Sequence, residues 1–139
     1  MTEELIKGVR VVTTKPAADD VQELASREGI HAWRVDLSKI SSKTDLLETI
    51  GKALSFPDYY GRNWDALSEC LRDFDEGKGW LIIFDHADTL LALPRQDLTT
   101  LEAILSDAAN FWSAEGRIFG ALFVGGPTLR EALELAPPH

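Results

Sequence analysis

Trp80-Leu81-Ile82-Ile83-Phe84 is an unbroken apolar run, preceded by the flexible Gly77-Lys78-Gly79 and followed by the polar Asp85-His86. A strand with one wet face alternates apolar and polar side chains. A continuous run is what a strand covered on both faces requires, and parallel sheets are where such strands occur. The segment therefore predicts a strand, covered on both faces, of a small, mainly parallel sheet.

Working outward, the flanking patterns supply the rest of an α/β domain. Asp97 to Glu115 has Leu98, Leu101, Ile104, Leu105, Ala108 and Trp112 at helical spacing, which predicts a long helix. Arg117 to Val124 reads as the last strand, ended by Gly125-Gly126-Pro127, and Thr128 to His139 holds room for a short helix before Pro137-Pro138. Upstream, Val9 to Thr13 is β-branched and short and predicts a strand. Asp19 to Glu28 follows as a helix stopped by Gly29, and His31 to Leu37 as a second strand. A βαβ opening of this kind places its strands in parallel. A further helix begins at Ser42 or Thr44 and runs through Leu46, Leu47, Ile50 and Leu54. Phe56-Pro57-Asp58-Tyr59-Tyr60-Gly61 then interrupts it with turn-forming residues.

Composition sets the class. The 139 residues suit one domain, and 45% hydrophobic with 27% charged residues can support a packed core. Fourteen basic against 23 acidic residues give a formal net charge of −9, which disfavours nucleic acid and anionic membranes and speeds encounter with basic partners. A single cysteine, Cys70, forms no internal disulfide. With no basic-then-apolar start and no run of about 20 apolar residues, the expectation is a cytoplasmic protein, monomeric and without cofactor or metal.

Asn63 to Phe74 carries the functional argument. As one helix, it puts Leu67, Cys70, Leu71 and Phe74 on a buried stripe and Asp65, Glu69 and Asp73, four residues apart, on the opposite one. Trp64 and Ser68 fall at the border. Asn63 is a good N-cap, and Asp65 sits where the helix dipole favours a negative charge. Like charges at this spacing cost roughly 0.2–0.5 kcal/mol per pair, and Arg72 is the only base in the helix. A solvated face is the plain alternative; the functional one is a row of fixed carboxylates offered to a cationic site. Tyr59-Tyr60-Gly61 just before the helix adds two amphipathic rings of the kind that anchor interfaces. One of these tyrosines is expected to close over the core and the other to face solvent.

The run Phe56-Pro57-Asp58-Tyr59-Tyr60-Gly61-Arg62-Asn63-Trp64-Asp65-Ala66-Leu67-Ser68-Glu69-Cys70-Leu71 resembles the signature of the barstar family. There, a Pro-x-Tyr-Tyr-Gly-x-Asn loop leads into a helix bearing Asp-Ala-Leu and a second acid four residues after the Asp. The resemblance covers about Gly29 to Gly125. Residues 1–28 then form an added strand and helix at the sheet edge, and 126–139 a C-terminal tail. It implies a small parallel sheet packed with helices and an inhibitor that binds a basic, extracellular-type (barnase-like) ribonuclease, or a related toxin, inside the producing cell. It also implies that Glu69 occupies the enzyme's phosphate site, that Asp65 is a second interface acid, and that Tyr59, Gly61 and Asn63 lie against the enzyme. Trp64, Ser68 and Asp73 complete the expected binding face.

The chain departs from that pattern in three places. Glu69 stands where Asp is found in the best-known member, Ser68 replaces an aromatic residue, and around Asn110-Phe111-Trp112 there is no carboxylate before Glu115. Two other roles stay open: a barstar-like module for a non-ribonuclease toxin or a cellular protein, and, more weakly, a small enzyme. The enzyme would have to use Cys70, His31 or the Asp85-His86-Ala87-Asp88 cluster, which lacks a second His or Cys group to make a metal site. Cys70 on the apolar stripe is expected to be buried and inert. No G-x-x-x-x-G-K-[ST] phosphate loop is present.

Overall fold

A computed structural model of the chain describes residues 6–57, 63–74 and 77–134. The elements in chain order are β1 (Gly8–Val12), α1 (Lys15–Arg27), β2 (His31–Asp36), α2 (Lys43–Ala53), α3 (Trp64–Leu71), β3 (Gly79–Asp85), a 3-10 turn (Ala87–Ala92), α4 (Arg95–Ala114), β4 (Ile118–Val124) and α5 (Pro127–Ala132). All pairings are parallel, in the order β1-β4-β3-β2. The apolar run Trp80–Phe84 lies on an inner strand, and all five residues are buried.

Crossover handedness explains where the helices go. β2, β3 and β4 are laid down as successive neighbours, and their connecting helices cover one face. The β1-to-β2 connection runs the other way, from one edge of the sheet to the opposite edge. A right-handed crossover in the reversed direction must place its helix on the opposite face. Accordingly Ala18 and Ala25 of α1 pack with Leu81, Ile83 and Leu122 in one cluster. Val35, Trp80, Ile82, Phe84, Phe119 and Phe123 point the other way, into the larger core beneath α2, α3 and α4. The two strands of the opening unit are thus parallel but not adjacent. Its helix lies over the sheet face, where an edge position was expected, because it has to span the sheet to reach β2.

Local sequence sets the helix ends. Thr14 caps α1, accepting from the Ala17 N–H at 3.2 Å, and Pro16 fits the first turn, so the helix starts a turn before Asp19. Ser42 caps α2, accepting from Asp45 N–H, while the Asp45 carboxylate accepts from Ser41 N–H at 3.0 Å. Three helices end in the same way, with a left-handed residue followed by a bond back five positions: Ile30 N–H to Ala25 C=O, Phe56 N–H to Gly51 C=O, and Arg117 N–H to Trp112 C=O. The left-handed residue is Gly29, Ser55 and Gly116 respectively.

Arg34 of β2 ties the α1 layer to the sheet. Its guanidinium donates two bonds to Asp85, at 2.8 and 2.6 Å, and one each to Asp19 and Gln22 of α1, both at 2.8 Å. This fork-on-carboxylate geometry is the strong form of an ion pair.

Candidate functional site

α3 is held as a rigid platform. Asn63 Oδ1 accepts from the Ala66 N–H at 2.8 Å and starts the helix as expected. Leu67 and Leu71 are fully buried against the core. Trp64 and Ser68 are half-buried at the border of the helix, with the Lys43 ammonium 6.0 Å from the Trp64 ring. Asp65 and Glu69 project into solvent from the opposite side. Among the described residues no basic side chain pairs with Asp65, Glu69 or Asp73. Tyr59 and Gly61 lie outside the described residues.

The helix is shorter than its pattern. It ends at Leu71, where a helix to Phe74 was expected. The Trp112 indole Nε1 of α4 donates to the Leu71 carbonyl at 2.8 Å, tying that end of the helix to α4. Arg72 and Asp73 make tight bonds three residues back, to Glu69 and Cys70. Phe74 leaves the helix and enters an aromatic cluster, with ring centroids 5.2 Å from Trp33, 5.0 Å from Trp80 and 6.2 Å from Trp112.

Asp73 lies beyond the end of the helix that carries Asp65 and Glu69. Cys70 is half-buried and not part of the sealed core. Burial, followed by the nearby Asp73 and Glu69 carboxylates, pushes its thiol pKa upward, so the thiolate is disfavoured.

Beside this end of the helix is a cleft of about 350 Å³, with apolar walls from Trp33, Leu54, Phe56 and Phe74 and with Cys70 and Asp73 on its rim. A second depression, lined by Glu69, Cys70, Arg72 and Asp73, adjoins it through the shared Cys70 and Asp73. The Arg72 side chain folds back, its Nε donating to the Ser68 carbonyl at 3.2 Å. No periodicity in the sequence signals this cleft, because its walls come from β2, the end of α2 and the end of α3.

A family model described as Barstar (barnase inhibitor) matches residues 30–124, about two thirds of the chain. The chain belongs to the barstar family. That family is one of inhibitors, and the acids of α3 and the end of its loop at Asn63 lie within the matched range. β1 and α1 precede that range, so the second layer of this barstar-like protein is built by residues outside the family match.

Among solved structures, the barstar-like chain is similar to the Aeropyrum pernix ORC2 protein. In its ADPNP-ADP complexes the TM-score is 0.59 with 19% identity, over 92% of this chain and 36% of that one. In its ADP form the TM-score is 0.61 with 16% identity, over 93% of this chain and 38% of that one. Cdc6p from Pyrobaculum aerophilum gives 0.55 with 16% identity, over 91% of this chain and 36% of that one. The chain thus spans little more than a third of these larger proteins, and at such identities the likeness is one of fold.

Of the residues considered for catalysis, Asp85 and Asp88 are bonded to other parts of the fold. Asp85 is gripped by Arg34. Asp88 Oδ1 accepts from the Gly126 N–H at 3.0 Å, fixing the turn between β4 and α5. His86 is an exposed residue in left-handed backbone at the start of the 3-10 turn, and His31 stands edge-on to Trp33 at 4.4 Å. Among the described residues no three His, Cys, Asp or Glu side chains group to hold a metal ion. None of their helices is long and apolar enough to cross a membrane.

Proposed function

We propose that this protein is a cytoplasmic immunity protein that inhibits a basic, barnase-like ribonuclease by laying α3 across its active site. The observation that carries the reading is the pair of exposed carboxylates, Asp65 and Glu69, without counter-charge among the described residues, on a helix fixed at both ends. A ribonuclease grips phosphate with cationic side chains, and carboxylates on a rigid helix imitate that anion without loss of much conformational freedom on binding. Glu69 takes the phosphate position and Asp65 meets a neighbouring cation, with Asn63, Trp64 and Ser68 on the same binding face and Tyr59 and Gly61 contributing to partner binding. The protein acts by binding alone and performs no catalysis. Its formal charge of −9 raises the association rate with a basic enzyme.

Calorimetric titration with a basic barnase-type ribonuclease tests this. Tight one-to-one binding that Glu69→Ala loses is the expected result; no binding by the folded protein overturns it. One observation favours a second reading, a different toxin as partner. Glu69 reaches one methylene further than Asp, and Ser68 offers little contact area, so the face suits a more deeply set cation.

A further inference from the structure

The cleft beside α3 is continuous with the proposed interface but is chemically unlike it. The Asp65 and Glu69 surface carries carboxylates alone, whereas the cleft sets Trp33, Leu54, Phe56 and Phe74 beside polar groups from Ser55, Cys70 and Asp73, the last being its one carboxylate among the described residues. That carboxylate has no cationic partner among the described residues, since Arg72 is turned onto the Ser68 carbonyl. Apolar side chains beside an acid that has no cationic partner among the described residues match a long side chain with an aliphatic stem and a cationic head. Of the two candidates, the guanidinium is planar, more weakly hydrated and able to pack against aromatic rings while it forks onto a carboxylate. The ammonium is a strongly hydrated point charge that loses more by entering such a place.

We infer that this cleft receives an arginine side chain of the partner, its alkyl stem against Leu54 and Phe56 and its guanidinium on the Asp73 carboxylate. The inference rests on the reading of this face as the binding interface. It adds a contact beyond the α3 acids, made by a residue that lies past the end of their helix.

The test uses the full-length protein and N-acetyl-argininamide as the probe, followed by backbone amide chemical shifts. Saturable shifts centred on Ser55, Cys70 and Phe74 are expected, with apparent affinity lowered at least roughly fivefold in Asp73→Asn. N-acetyl-lysinamide and N-acetyl-leucinamide are expected to bind distinctly more weakly. Absence of saturable shifts, an unchanged response in Asp73→Asn, or equal binding of either control overturns the inference. Because the probe contains no ribonuclease, it can succeed where ribonuclease binding fails, and the reverse, so the two readings fail separately.

Discussion

The indole of Trp112, in the middle of the larger core, donates its N–H to the carbonyl of Leu71, 41 residues earlier in the chain, at 2.8 Å. The bond joins α4 to the end of α3, next to Asp73 and to Phe74 of the aromatic cluster.

Trp112→Phe removes that donor and leaves a buried carbonyl unpaired along with a small cavity. A loss of about 2–3 kcal/mol in urea denaturation is expected. Amide shifts of Arg72, Asp73 and Phe74 should move more than those of Asn63 and Trp64 at the other end of α3. Equal disturbance at both ends would mean that the bond does not hold the helix terminus.

Asp65→Ala is expected to leave the folding midpoint within about 0.5 kcal/mol of the parent, since the side chain is exposed. Against a basic ribonuclease it should weaken binding by at least about 2 kcal/mol, because the enzyme's cation is left unpaired. Stopped-flow association should slow steeply with added salt while dissociation changes little. Salt-independent association would show that the −9 charge plays no part in encounter.

Ser55 occupies left-handed backbone, φ 56°, at the end of α2, a place that Gly29 and Gly116 fill at the ends of α1 and α4. Ser55→Gly relieves its Cβ of that conformation, and a gain of about 0.5–1 kcal/mol is expected after the added freedom of the unfolded chain is counted. A loss on denaturation would show that the serine hydroxyl holds the turn.

Three carboxyls, two exposed and one (Asp45) half-buried, have pKa values below the usual range: Asp19 through its bond from Arg34, Asp36 through Ser38 N–H, and Asp45 through Ser41 N–H. Below that range the unfolded chain binds more protons than the folded one. The stability these groups supply is therefore present at neutral pH and lost as pH falls through their folded-state values. Denaturation midpoints should fall in acid. Asp45→Asn, less stable at neutral pH, should converge on the parent as pH drops; a constant gap would sink this account.

Much of this was legible in the sequence because it is local. The buried strand Trp80–Phe84 announces itself by an unbroken apolar run, Asn63 by its capping chemistry, and Asp65 and Glu69 by a spacing that any helix turns into one face. Gly29 predicted a helix end, since few other residues take its backbone angle so readily. The 3-10 turn at Ala87–Ala92 was not legible: Thr89 Oγ1 holds it by donating to the carbonyl of Leu37, 52 residues away.

The placement of α1 over the second sheet face and the cleft beside Asp73 belong to the tertiary structure alone. Each depends on a partner distant in the chain: β1 and β2 at opposite edges for the first, Trp33, Leu54 and Phe74 together for the second. Periodicity describes which face a helix buries, but a hydrogen bond or a wall supplied from 40 residues away carries no period. Helical spacing is enough to put Asp65 and Glu69 on one exposed face of α3. The cleft that Asp73 borders is assembled from segments far apart in the chain, which no local pattern encodes.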